Sequence, residues 1–229
     1  MNDMTQLPVD PPYLYADYLS TQLRSPREKL LEVPSAVLDT PGPIVPAGFV
    51  RSGDNDLTIH GKSAPLGEKM ILSGRVIDEG GRPVRRSLVE IWQANASGRY
   101  AHPGDQHEAP LDPNFFGLGR TFTDDEGWYR FITVKPGAYP WQNHAFAWRP
   151  QHIHFSLLGN APVQRLVTQM YFPGDPMLDI DPVYNSVPDR EARKRMISTL
   201  ALETGIEMVA LGYRFDIVLA GAKSTPMGI

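Results

Sequence analysis

The sequence predicts a mainly β protein: an antiparallel β-sandwich with long functional loops, an irregular N-terminal arm and one or two peripheral helices. Three observations predict it. Short runs of β-branched and aromatic residues alternate with turn chemistry from Lys69 onward. Glycine (20) and proline (22) are frequent in a chain of 229 residues, as expected for many turns between short strands. Only Asp189–Leu202 has the pattern of a long helix. An apolar fraction of 41% is enough for a real core and excludes a wholly disordered chain.

Residues 1–66 are broken by Pro11, Pro12, Pro34, Pro41, Pro43 and Pro46. Short helices are expected around Tyr13–Leu23 and Pro26–Leu31, the second with Ser25 as cap and Pro26 at its first position. This stretch is too poor in periodic apolar residues to fold alone, so it is expected to pack on the core or on a partner subunit. Residues 67–229 are the expected sandwich domain. Met70–Ile77 reads as a strand, Asp78–Pro83 as its turn, and Val84–Trp92 as its hairpin partner. Within that partner, Leu88, Glu90 and Trp92 share one face and Val89 and Ile91 the other. Asp124–Gly127 marks a second hairpin between Arg120–Thr123 and Trp128–Val134. His152–Leu158, Arg165–Phe172 and Tyr213–Ala220 are further strands. Asn95–Gly119 and Lys135–Pro150 are long, aromatic-rich segments, too rich for plain connectors and more consistent with a functional site.

Composition narrows the chemistry. With no cysteine, disulfides, thiol nucleophiles, Cys-based zinc sites and iron–sulfur clusters are excluded. A formal charge of −4 offers no basic field for nucleic acid or anionic lipid. No run of eighteen apolar residues suggests a membrane span. The first residues lack the basic head and apolar stretch of a secretory signal, so a soluble cytoplasmic protein is the expectation.

Gln151-His152-Ile153-His154-Phe155 is the sharpest local signal. On a strand, His152 and His154 project from one face about 7 Å apart, and two imidazoles so placed can converge on one metal ion. A pair of ordinary histidines competes with that interpretation. The shell could be completed by a carboxylate, with Asp105 or Glu108 beside the histidines in a ferrous site. It could also be completed by Tyr100 and Tyr139, since a hard trivalent cation holds a phenol deprotonated at neutral pH. Spacing alone leaves both open.

Four stretches, Trp92–Tyr100 (WQANASGRY), Leu111–Phe115 (LDPNF), Lys135–Trp141 (KPGAYPW) and Trp148–Phe155 (WRPQHIHF), carry a resemblance to the intradiol ring-cleavage dioxygenases. The resemblance runs from about Asp17 to Leu219 and is strongest to the beta-type chain of the protocatechuate-cleaving branch. It implies a mononuclear non-haem Fe(III) ion, one per chain, held by Tyr100, Tyr139, His152 and His154. It implies that Tyr139 leaves the metal and acts as a base, and that Arg149 stands beside the substrate ring. Gln169 would line the oxygen side, Trp141 and Val183 would wall the pocket, and Tyr18 would face the substrate carboxylate. The implied reaction joins a catechol to O2 and opens the ring between the two hydroxylated carbons, giving from protocatechuate 3-carboxy-cis,cis-muconate with no reductant or organic cofactor. The implied partner is an alpha subunit of the same enzyme in a hetero-oligomer. Only about 66 proline-broken residues precede the sandwich, which favours this branch over members with a helical N-terminal dimerisation region. The tail Gly221–Ile229 and the stretch Gln142–Ala147, with His144, depart from the family pattern, but neither includes a ligand position. The rivals are a non-catalytic sandwich subunit or binding module, intradiol cleavage of another catechol, and a zinc or ferrous site built on the two histidines.

Overall fold

The computed structural model describes residues 9–31, 34, 45–46, 48–142, 145–146, 148–159 and 165–228. In chain order it contains a helical turn α1 (Thr21–Arg24), then β1 (Lys69–Ile77), β2 (Leu88–Trp92), β3 (Leu118–Phe122), β4 (Trp128–Val134), β5 (Tyr139–Pro140), β6 (Trp148–Arg149), β7 (His152–Leu158) and β8 (Arg165–Tyr171). A 3-10 turn (Pro176–Ile180), α2 (Pro182–Ser186), α3 (Arg190–Lys194), β9 (Thr199–Leu200), a second 3-10 turn (Leu202–Thr204), β10 (Leu211–Arg214) and β11 (Ile217–Val218) follow.

Two sheets face each other. One has the order β3-β2-β7-β8 and is antiparallel throughout. The other is built on β1, antiparallel to β4 and parallel to β10 and β11, with β9 beside β10. Alternation puts Val89, Ile91, Ile153, Phe155 and Leu157 of the first sheet against Leu72 and Phe131 of the second and Phe215 between β10 and β11, all nearly inaccessible to solvent. The mainly β sandwich expected from the sequence is therefore present, with the β1 sheet mixed.

The pairing differs from the expected hairpins. Asp78 does build the predicted turn, its Oδ1 accepting from the amides of Gly80 and Arg82 (both 2.9 Å). Yet β1 and β2 lie in opposite sheets; pairing after the turn goes no further than the Ile77–Pro83 bridge and the Val84 N–H bond to the Val76 carbonyl (3.0 Å), before β2 begins. Asp124–Gly127 likewise turns the chain, with Gly127 N–H donating to the Asp124 carbonyl (3.1 Å), but it leads from β3 in one sheet to β4 in the other. Turn chemistry reverses a chain locally; which neighbour a strand pairs with depends on which arrangement buries its apolar face.

Helices are shorter than expected. Asp189 caps α3 by accepting from Glu191 N–H (2.9 Å), but the helix ends at Lys194 instead of continuing to Leu202. The reason is tertiary: Tyr171 N–H donates to the Met196 carbonyl (2.8 Å) and Ser198 N–H to the Tyr171 carbonyl (2.9 Å), so this segment runs beside β8. The expected helix over Tyr13–Leu23 shrinks to α1, and Pro26–Leu31 has no helical turn. The expected strand Tyr213–Ala220 is split into β10 and β11 at Phe215-Asp216, where the Phe215 carbonyl accepts from Tyr129 Oη (2.5 Å) and Asp216 from Arg75 N–H (2.9 Å). Two ends of the chain meet where Asp10 accepts from Met227 N–H (2.9 Å), and Val9 packs on a second small cluster around Tyr171, Leu178 and Met196. No helix among the described residues is long and apolar enough to cross a membrane.

Candidate metal centre

Strand β7 has two faces. Ile153, Phe155 and Leu157 enter the core, while His152 and His154 point the other way. Register places Trp92 opposite His154, and the indole stacks on the imidazole with centroids 4.8 Å apart and planes 2° from parallel. His152 Nδ1–H donates to the Pro150 carbonyl (2.7 Å), which leaves its Nε2 lone pair facing outward.

Two loops bring the tyrosines to that face. The first begins at Gln93, whose amide is locked between the Val134 carbonyl (2.8 Å) and Thr133 Oγ1 (2.9 Å). Asn95 then acts as a hub: its Oδ1 accepts from Ser97 and Arg99 N–H (both 2.9 Å), and its Nδ2 donates to the Pro110 carbonyl (2.9 Å). Tyr100 N–H donates to Asp105 Oδ2 (2.8 Å), and the other carboxylate oxygen pairs with His107 Nδ1 (2.7 Å). The second loop carries Tyr139 on β5, paired with Arg149 on β6. The loops touch backbone to backbone: Gly137 N–H donates to the Asn95 carbonyl (2.9 Å), and a Cβ at Gly137 would stand 2.5 Å from the Ala96 oxygen. Gly98, at φ 81°, would likewise drive a Cβ to 2.1 Å from the Ala138 oxygen. These two glycines set the spacing of the two phenols, whose rings meet edge to face at 5.3 Å.

Four donor atoms converge. Tyr139 Oη lies 3.2 Å from His152 Nε2, which lies 3.2 Å from His154 Nε2, which lies 3.1 Å from Tyr100 Oη. An ion at the middle of a set with such edges stands about 1.9–2.2 Å from each donor, the length of a metal–nitrogen or metal–oxygen bond. The donor chemistry fits a hard cation. Burial and the Arg149 charge push His152 well below the usual imidazole range and His154 down to about 3, so both rings are neutral ligands at neutral pH. Burial pushes Tyr100 well above the usual phenol range. It also raises Tyr139, against the opposing pull of Arg149. Without a cation both phenols stay protonated; a cation among them reverses that balance.

Behind the donors lies a buried polar network. The Arg149 guanidinium is 2% exposed; its Nε and Nη2 donate to Asp181 Oδ2 (3.2 and 3.0 Å), and Nη2 also donates to Gln169 Oε1 and to Tyr171 Oη (3.3 Å). The guanidinium carbon stands 4.8 Å from the Trp141 ring centroid. In front lies a cleft of about 1100 Å³ whose lining includes Trp92, Tyr100, His107, Tyr139, Trp141 and His154.

The structure thus gathers Tyr100, Tyr139, His152, His154, Arg149, Gln169 and Trp141. Tyr18 packs its ring on Trp141 (5.0 Å, 61°) and meets the cleft through that indole. Val183 is buried in α2 behind Asp181 and is not part of the cleft lining. Asp105 holds the Tyr100 backbone. Among the described residues, no group of three or more His, Cys, Asp or Glu is placed to hold a metal, so the His/carboxylate alternative finds no support. His144 lies outside the described residues. Trp92, Asp181 and Tyr171 were not singled out from sequence. Trp92 was legible, since it shares a face with Leu88 and Glu90 on a strand that could pair with the histidine strand. Asp181 carries only the signal of a helix cap before Pro182.

A family profile described as "Dioxygenase" matches residues 42–221, and one described as "Protocatechuate 3,4-dioxygenase beta subunit N terminal" matches residues 10–36. The chain is 54% identical over 222 residues to a protocatechuate 3,4-dioxygenase beta chain from Burkholderia cepacia, covering 96% of this chain and 94% of that one. It is 32% identical to a protocatechuate 3,4-dioxygenase alpha chain from Pseudomonas putida, over 87% of this chain and 97% of that one. Among solved structures, the dioxygenase domain of a carbohydrate-binding fusion protein from Streptomyces sp. SirexAA-E superposes with a TM-score of 0.52 at 26% identity, covering 79% of this chain and 98% of that one.

Proposed function

The chain belongs to the intradiol dioxygenase family, and from that premise we propose that it is the iron-bearing beta subunit of a protocatechuate 3,4-dioxygenase. Its reaction is 3,4-dihydroxybenzoate plus O2 to 3-carboxy-cis,cis-muconate, with both oxygen atoms retained and no external reductant. Tyr100, Tyr139, His152 and His154 would hold one Fe(III) per chain. The observation that carries this is the convergence of two phenol oxygens and two neutral imidazole nitrogens within 3.1–3.2 Å of their neighbours at the foot of a cleft. Bound there, ferric iron supplies Lewis acidity and withdraws electron density from a catecholate.

The chain's own groups supply the rest. Tyr139 sits on the short two-stranded β5–β6 ladder, outside the two main sheets, so it would be the donor freest to swing aside; away from a cation its oxygen would be strongly basic and would take a catechol proton. Arg149, paired with Tyr139 across that ladder, presents a fixed positive charge where negative charge develops on the ring. Gln169 has its Oε1 engaged by Arg149 and by Tyr171 Oη (3.1 Å), which leaves its NH2 group to face the reacting oxygen. Trp141 closes the cleft wall and excludes water; Tyr18 backs that wall through its ring contact with Trp141, and Val183 supports Asp181 from α2 without lining the cleft. The arm expected over residues 1–66 would pack on the core or on a partner subunit, and an alpha subunit would complete the pocket in a hetero-oligomer. The similarity to both a beta and an alpha chain supports that assembly.

The test is to co-express the chain with its alpha partner and measure iron, visible spectrum and O2 uptake. The expected protein is red-brown from tyrosinate-to-ferric charge transfer, changes colour on adding protocatechuate without air, and consumes one O2 per substrate. Tyr100→Phe loses the band or the iron while keeping the fold. A colourless active protein, or an active Tyr100→Phe protein with unchanged spectrum, overturns the ligand set.

A further inference from the structure

We infer that Asp181 is a positioning residue for ring cleavage: it holds the Arg149 guanidinium in the one orientation that presents its charge to the reacting ring. This rests on the function proposed above, because it needs Arg149 at the substrate. Asp181 is fully buried and Arg149 2% exposed, and the pair spans 32 residues of sequence. Its carboxylate is used on both sides. Oδ2 accepts from Arg149 Nε and Nη2, and Oδ1 accepts from Val183 N–H (2.9 Å), which ties the carboxylate to the first turn of α2. The carboxylate can therefore neither rotate nor retreat without breaking the start of that helix.

Three further contacts hold the guanidinium. Gln169 Oε1 and Tyr171 Oη take Nη2, Tyr171 Oη itself donates to Gln169 Oε1, and the Trp141 ring stands against the guanidinium carbon. Beyond these contacts lies Tyr139, the residue paired with Arg149 across the β5–β6 ladder. A buried pair of this kind is poor evidence for stability, because desolvation cancels much of the attraction. It is well suited to fixing direction: two donors on one oxygen define the guanidinium plane. An ordinary helix cap, such as Asp189 on Glu191 N–H, needs neither a buried setting nor a cationic partner.

The experiment compares Asp181→Asn and Asp181→Glu with the parent, each as the complex with the alpha partner. In Asp181→Asn one face of the amide presents N–H groups to donors already there, so the guanidinium turns. Expected results are unchanged iron content and resting visible band, a substrate dissociation constant from anaerobic spectral titration within about threefold of the parent, and a kcat at least 100-fold lower. Asp181→Glu keeps the charge with a longer reach and recovers about tenfold of that loss. Crystals of the metal-free Asp181→Asn chain show the Arg149 guanidinium displaced, a readout independent of turnover. A kcat within threefold of the parent overturns the inference, as does a loss of kcat matched by loss of iron or of folded protein. Should Asp181→Asn fail to fold, Asp181→Glu decides: full activity overturns the inference, and reduced kcat with retained iron and band supports it. A parent complex that binds no iron or cleaves no protocatechuate sinks the proposed function instead, and leaves the Arg149 orientation in the metal-free crystals as the test of this one.

Discussion

The two faces of β7 do opposite jobs with alternate residues. Ile153, Phe155 and Leu157 are sealed between the sheets, whereas His152 and His154, one residue out of step, meet two tyrosines brought in by loops. The apolar face is stabilised by area buried, tolerates small shifts and is insensitive to direction. The polar face depends on lone pairs aimed to within a few tenths of an ångström, and burial there works against every charged form. One strand can serve both because its side chains alternate with a period of two. A slip of one residue would exchange core and site together.

Neighbouring substitutions separate the two faces of β7 most sharply. His154→Ala removes a donor and little of the core. Expected outcomes are a drop in catechol cleavage by about 10³-fold or more, near-complete loss of bound iron and a melting temperature of the metal-free chain little changed. Phe155→Ala, one residue on, leaves the donors and opens the core; it costs about 3–5 kcal/mol in denaturant unfolding, while iron per folded molecule stays near the parent value. If both variants lose iron and stability equally, the two faces are not independent.

Gly137→Ala tests whether the loops set the phenol spacing. Its Cβ would meet the Ala96 oxygen at 2.5 Å, so Tyr100 and Tyr139 are forced apart. We expect about 1–3 kcal/mol of destabilisation and a several-fold weaker iron affinity, read by competition with a chelator. Trp92→Leu keeps the strand but removes the ring stacked on His154. A shift of the visible band with about a tenfold or smaller loss of affinity is expected.

The gentlest perturbation is a change of pH on the metal-free chain. Both donor histidines have folded-state pKa values below that of an unfolded imidazole, His154 at about 3. As pH falls below about 6.5 the unfolded chain takes up protons that the folded chain refuses, so stability declines from there toward pH 3. Thermal melts across that range check it. His154→Ala flattens part of the slope, whereas Phe155→Ala lowers the whole curve without changing its shape.

Much of this division is legible in the sequence. The alternation in Gln151–Phe155 assigns each residue to a face, because a strand has no other way to place side chains. The sandwich class followed from short apolar runs and abundant turn residues. Strand partners did not: Asp78 and Asp124 build the expected turns, yet each leads into the opposite sheet. The helix over Asp189–Leu202 failed for a related reason, since Met196 and Ser198 are claimed by the backbone of Tyr171. Tyr100 and Tyr139 were reached through family resemblance, because single tyrosines in loops carry no periodic signal.

By itself the sequence determined local periodicity and residue chemistry: which side chains share a strand face, where the chain must turn, and that thiol chemistry is impossible. Only the tertiary structure decided that a nitrogen pair from β7 and two phenols from loops 39 residues apart in sequence meet within a hydrogen-bond length, and that Asp181 lies against Arg149. The physical reason is range. Turns, caps and alternation are set by neighbours a few residues away, whereas such meetings depend on how two sheets close over a shared core, a property of no short segment.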